Sequence, residues 1–284
     1  MGGGTWTSSS FRDYSRSVGR AVAMDGSLAG DYSAQDMFKQ RYIAPELNPK
    51  NVTRECVDSD EHPNTKPVIL ALDVTGSMGR AAVEVAKQIN IVMTELYGKV
   101  KDIEFMIMGI GDLAYDSAPI QVSQFESDIR IAEQLDKVFF EGGGGGNGFE
   151  SYTAAWYFGL NHTKLDCWKR GQKGIIITMG DEPLNPYLPK SKLAYATGDG
   201  IEADIETSAL YDDAIKKFDI YHLNVVHGYD RYHEAIHNSF GQYLDAKHLR
   251  DTTVDGITSE IVDIIVNAHK DVATTTVSTN GISW

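Results

Sequence analysis

The stretch Val68-Ile69-Leu70-Ala71-Leu72-Asp73-Val74-Thr75-Gly76-Ser77-Met78-Gly79 decides how this chain is read. Its first five residues are an unbroken apolar run, the form taken by a strand buried on both faces. Asp73 ends the run, and Gly76 and Gly79 break extended backbone before the next periodic segment. There Ala82, Val85, Ala86, Ile89, Val92, Met93 and Leu96 recur at helical spacing, with Gly98 as the expected stop. Asp73, Thr75 and Ser77 are thus expected at the carboxyl edge of a central strand, where open α/β sheets bind ligands. One carboxylate and two hydroxyls, spaced two apart on a tight turn, can face a single point. An oxygen-only set of low charge suits a hard cation that keeps some waters, with magnesium as the default and manganese or calcium as substitutes. A capped strand-to-helix turn would need fewer of these groups.

Beyond Pro67, apolar runs alternate with amphipathic ones, the pattern of a parallel sheet covered on both faces. The runs predict strands over Val68 to Leu72, Ile103 to Ile110, Ile175 to Thr178 and Ile220 to Val226, with a shorter one at Pro119 to Val122. Helices are predicted after Gly79 and at Ile129 to Phe139, Glu150 to Leu160, Ser208 to Lys217, Tyr232 to Phe240 and Ile257 to His269. Residues 1–63, rich in Gly, Ser, Asp and Arg, read as an extended N-terminal arm with one helical candidate at Ala34 to Arg41. Trp6, Phe11, Tyr14, Tyr32, Met37, Phe38, Tyr42 and Ile43 give that arm more apolar surface than a solvating tail needs. The Thr/Ser-rich end, residues 271–284, reads as a second arm. That leaves 64–270 as the domain.

Asp73-x-Thr75-x-Ser77 after an apolar strand resembles the metal-ion-dependent adhesion site of von Willebrand factor A domains. The resemblance spans about residues 65 to 270. It implies a doubly wound, mostly parallel six-stranded sheet with one antiparallel edge strand, flanked by helices. It also implies that a second loop and the end of the fourth strand complete the metal shell. Ile175-Ile-Ile-Thr-Met-Gly-Asp181-Glu182 matches the latter, with Asp181 in the place of the second acidic residue. The second loop departs from the family, which commonly has Thr after a glycine pair; here Gly142 to Gly146 leads into Asn147-Gly-Phe-Glu150-Ser151. This looks like the subgroup with a Gly-Gly-Gly-Asp-x-x-Glu loop, Asn147 standing for Asp. Asn147, Glu150 and Ser151 all stay open as ligands. In such domains the sixth ligand is typically a carboxylate of another protein, and bacterial and phage members often act as adaptors to MoxR-type AAA+ ATPases.

With 26 Lys plus Arg against 40 Asp plus Glu, the chain carries a net charge of -14, which repels phosphate backbones and argues against nucleic acid as a ligand. The acidity lies beyond residue 60, since residues 1–60 hold 7 basic and 8 acidic side chains. No apolar run approaches the roughly 20 residues of a membrane span, and no signal-peptide pattern opens the chain, so a cytoplasmic protein is expected. Cys56 and Cys167 form no CxxC pair, which argues against a disulfide framework or structural zinc.

Three competing signals weigh less. Gly143-x-Gly145-x-x-Gly148 matches a dinucleotide fingerprint only as any glycine run would, and no P-loop is present. Asp112, Asp116 and Glu182 are spare acids near the edge, Asp112 equally readable as a turn cap. His233-Glu234-Ala-Ile-His237 is a literal HExxH, the zinc-protease motif, yet the longer signature with His248 needs Gly where Phe240 stands. Ile236 and Phe240 give that segment an ordinary packing purpose. The expectation is therefore a non-enzymatic, metal-dependent protein-binding module, with a zinc protease and a structural subunit whose arms lace neighbouring copies into a homo-oligomer as alternatives.

Overall fold

In the structure, a computed structural model that describes residues 3–142, 146–226 and 232–277, the opening stretch forms strand β1, Lys66–Asp73, buried from Pro67 onward. The other strands of its sheet are β2, Ile103–Ile110; β3, Ile120–Val122; β4, Gly174–Gly180; β5, Phe218–Val225; and β6, Leu249–Thr252. Their order is β6-β5-β4-β1-β2-β3. All neighbours run parallel except β2 and β3, which are antiparallel. β1 is central because its neighbours β2 and β4 are also buried along their whole length. Runs of that kind have no solvated face to place elsewhere.

Helices are, in chain order, α1, Ser8–Ser17; α2, Ala34–Met37; α3, Gly79–Lys99; α4, Arg130–Leu135; α5, Thr153–Asn161; α6, Lys190–Thr197; α7, Thr207–Ala214; α8, His233–Phe240; and α9, Ile257–Val277. On one side of the sheet Val68, Leu70 and Leu72 meet Val85, Ile89 and Met93 of α3 and Ile261 and Ile265 of α9. On the other, Ile69 and Ala71 meet Ala155, Trp156 and Phe158 of α5, Leu210 of α7, and Ile236 and Phe240 of α8. Alternate residues of β1 thus serve opposite cores, and each buried Leu or Ile contributes about 1.5–3 kcal/mol.

Helix ends differ from the sequence reading by a few residues. Gly98 lies inside α3, which closes when the Val100 amide donates to the Leu96 carbonyl. The α4 helix stops at Leu135 and not at Phe139, whereas α9 runs to Val277, past the expected end at His269. The N-terminal segment is folded and packed against the sheet domain. Thr7 caps α1 by accepting from the Ser10 amide, and Ser33 and Asp36 cap α2 reciprocally. Trp6, Phe11, Leu28, Met37, Phe38 and Leu47 join the α3-side core. The Trp6 indole donates to Asn90 Oδ1, and the Asn90 amide donates to the Gly26 carbonyl. Arg20 and Tyr14 both reach Asp136. Of the apolar residues noted in the arm, Trp6, Phe11, Met37 and Phe38 are the reason, since they are buried in the α3-side core, whereas Tyr42 stays exposed. Of the expected C-terminal arm, residues 271–277 continue α9 and 278–284 lie outside the described residues, as do 143–145 of the glycine loop. Cys56 and Cys167 are buried, unbonded thiols.

Candidate metal centre

Strand β1 delivers Asp73 to the sheet edge fully buried, and the chain turns at once. Asp73 Oδ1 accepts from the Thr75 amide at 2.8 Å and from Thr75 Oγ1 at 2.6 Å, an Asx-type turn that fixes the carboxylate. A single 3-10 turn, Gly76–Met78, then carries Ser77 to the surface before α3 begins. Ser77 Oγ donates to Asp181 Oδ1 at 2.9 Å, so the first loop and the end of β4 meet. The other oxygen of Asp73 accepts from the Tyr152 hydroxyl at 2.8 Å. Tyr152, fully buried ahead of α5, reaches that point only because residue 180 is glycine: a Cβ there would lie 1.8 Å from the tyrosine oxygen. Tyr152 was not singled out from the sequence, and Gly180 entered only as the glycine before Asp181 at the end of the fourth strand. Their one signal was position, next to the Glu150-Ser151 loop and to Asp181.

The second loop contributes differently from residue to residue. Glu150 is buried and bridges β-fashion to Leu184. Ser151 Oγ accepts from the Leu113 amide at 3.0 Å and so ties the loop after β2 to the site. The Asn147 side chain helps to hold the Asp112 carboxyl down against its burial, and Asp112 Oδ1 accepts from the Ala114 amide at 2.7 Å as the turn cap expected of it. Asp116 accepts from the Asp112 amide, in a space left by Gly111, where a Cβ would meet Asp116 at 2.3 Å. Asp73, Thr75, Ser77, Asp181 and Glu150 therefore gather on one edge. Asn147 and Ser151 face Asp112 and Leu113.

Negative charge is crowded here. Burial, and then the charge of Asp181, pushes the Asp73 carboxyl upward against the hydrogen bonds of Thr75. Burial also raises Glu150, with Asp73, Asp116, Asp112 and Glu182 adding to the effect. Asp112 and Asp116 are raised as well, chiefly by burial. Among the described residues, Asp112 Oδ2, Asn147 Oδ1 and Glu150 Oε2 are buried oxygens with no hydrogen-bond partner. Buried acceptors of that kind are rare and costly unless something donates to them. The donor set, carboxylate, hydroxyl and amide oxygen, fits a hard divalent cation.

Beside Ser77 runs a groove of about 600 Å³, lined in part by Tyr32, Gln35, Arg80, Lys87 and Phe140. Its charged lining is Arg80 and Lys87 with Asp31, Glu84 and Asp255. Farther along the same edge, α8 carries His233 and His237 one turn apart, and Ile236 and Phe240 are buried as their spacing implied. His248, weighed as a third zinc ligand, bonds Asp245 at 2.7 Å instead.

No protein-family model and no curated protein matches the sequence. Among solved structures, the pilus adhesin SpaC from Lactobacillus rhamnosus GG, in its open conformation, is similar with a TM-score of 0.51 and 12% identity over 76% of this chain. The match spans 31% of the adhesin chain. The vWF domain of the type V pili tip protein Mfa5 from Porphyromonas gingivalis gives a TM-score of 0.44 at 12% identity, over 72% of this chain and 95% of that one. Proximal thread matrix protein 1 from the mussel byssus gives 0.46 at 10%, over 72% and 48%. The likeness is one of fold: α/β, with a six-stranded sheet flanked by helices.

Proposed function

We propose that this chain is a non-enzymatic, metal-dependent protein-binding module. The carrying observation is the set of buried, partnerless oxygens on Asp112, Asn147 and Glu150 beside the buried carboxylate of Asp73. The Glu150 and Asp73 carboxyls repel each other, and Asp112, Asn147 and Glu150 each leave one buried oxygen without a donor; a divalent cation offsets both penalties at once. Magnesium, or manganese or calcium in its place, would be held by Asp73, Thr75, Ser77 and Asp181, with the Asn147-to-Ser151 loop completing the shell. Bound there, it supplies an electrophilic position for an outside oxygen.

A carboxylate of another protein suits that position, and the groove beside Ser77 suits the segment around it. Arg80 and Lys87 line that groove, where either could pair with an acid flanking the ligating carboxylate. An AAA+ ATPase of the MoxR type is the first partner to try, on the resemblance given above. The test is capture from the native host with wild type and Asp73→Ala, each with magnesium or EDTA. A partner retained only by wild type in magnesium supports the reading; equal recovery by both chains sinks it.

A further inference from the structure

We infer that His233, His237 and Asp251 form a second metal site, for a transition cation of the zinc class, separate from the oxygen-only edge around Asp73. Spacing of i and i+4 on α8 sets both imidazoles over adjacent turns, their ring centroids 4.3 Å apart. Asp251, from strand β6, comes to them from the sheet. Its Oδ1 lies 2.8 Å from His237 Nε2 and 3.9 Å from His233 Nδ1. One ligand atom from each of the three residues falls within 4.8 Å of the others, the one such trio of His, Cys, Asp or Glu found among the described residues.

These separations are close to what zinc needs. With metal-to-ligand bonds of about 2.0–2.1 Å, tetrahedral donors stand roughly 3.3–3.4 Å apart. The two distances to Asp251 bracket that figure, so small side-chain rotations complete the set. The scaffold resists larger ones. Ile236 and Phe240 anchor α8 in the core, and Asn224, fully buried on β5 opposite Asp251, donates to Asp251 Oδ1 at 2.8 Å. Metal-binding carboxylates are commonly held by outer hydrogen bonds of this type. The three side chains are between 37% and 49% exposed, so the cluster lies at the surface.

Two chemistries are kept apart by donor type and by distance. Imidazole nitrogen favours zinc and its neighbours in the transition series, whereas carboxylate and hydroxyl oxygens favour magnesium. Leu72 pairs with Met179, Gly180 with Asn224, and Asn224 with Asp251, so Asp73 and Asp251 lie level on the sheet three strands apart. At about 4.8 Å per strand that is roughly 14 Å. The carboxylate also replaces the downstream histidine of the three-His protease signature, so the ligands come from one helix and one strand.

The test uses the full chain, made without a histidine tag, stripped by chelator and dialysed against zinc in excess magnesium. Metal per chain is measured by mass spectrometry, and cobalt is substituted to read tetrahedral absorption bands. Wild type should retain about one zinc and give those bands. His237→Ala, and separately Asp251→Asn, should weaken zinc at least about tenfold. Asp73→Ala should keep it. Circular dichroism checks that the variants fold, and His237→Gln serves if the alanine variant does not. Absence of retained zinc on wild type, unchanged affinity in Asp251→Asn, or loss in Asp73→Ala with retention in His237→Ala would each overturn the assignment. Each result is independent of whether the Asp73 edge binds magnesium or a partner.

Discussion

Asp73 is held by three protein donors, and the least replaceable of them depends on an atom that is missing. Gly180 leaves out the Cβ that would collide with the Tyr152 hydroxyl at 1.8 Å, and that hydroxyl donates to Asp73. Gly180→Ala should therefore cost about 1–3 kcal/mol in urea unfolding through overpacking, and should also abolish metal-dependent capture of a partner. Tyr152→Phe asks a narrower question, since it keeps the ring between Asp73 and the stacked pair His222 and Phe240. It strands one oxygen of a buried carboxylate. A loss of about 1–3 kcal/mol is expected in EDTA, measured by the same unfolding curve. A Tyr152→Phe protein as stable as wild type would show that Asp73 needs no donor on that side.

At the scale of the element, the far end of the sheet carries its own charge problem. Glu104 on β2 is buried, and burial pushes its carboxyl up to about 7 from an ordinary value near 4.5, partly offset by a hydrogen bond with Cys56. The unfolded chain ionises first. As pH rises from about 5 to 8 the folded state is therefore penalised, by about 2–3 kcal/mol once Glu104 is ionised in both states. Glu104→Gln should remove that slope, read as urea midpoints at pH 5 and pH 8, with the variant gaining on wild type only at the higher pH. Nothing in Ile103-Glu-Phe-Met-Ile107 signals this, because an acid in an apolar run looks the same whether it faces water or Cys56. Strands β1, β2, β4 and β5 were legible because continuous apolar runs have one stable destination. Strand β6, Leu-Arg-Asp-Thr, was not, since its pairing with β5 supplies what its composition lacks. Helix α1 was hidden likewise, with only Phe11 and Ser15 buried in a Ser/Arg-rich stretch. At the candidate site, Asp73, Thr75 and Ser77 were grouped by their spacing and Asp181 by the resemblance, and the structure brings Ser77 and Asp181 into hydrogen-bond contact. Tyr152 was not legible, because its role rests on Gly180, close in space and 28 residues away in the chain.

For the whole molecule, the N-terminal segment determines which assembly is reasonable. Arms that lace neighbouring copies must present their apolar residues outward. Here Trp6, Phe11, Met37 and Leu47 are at most 5% exposed, buried in the chain's own core on the α3 side of the sheet. Trp6→Ala should cost about 3–5 kcal/mol and leave the size of the particle unchanged. The groove beside Ser77 draws Tyr32 and Gln35 from this same segment, together with Arg80 and Lys87 of α3. Loss of its packing should thus weaken partner capture as well as stability, although Trp6 does not itself line the groove. Light scattering with and without EDTA separates the assemblies. A chain that acts as a binding module stays one size alone and enlarges only with partner and magnesium. A large homo-oligomer that persists in EDTA, and falls apart in Trp6→Ala, would instead mean that the segment is exchanged between copies.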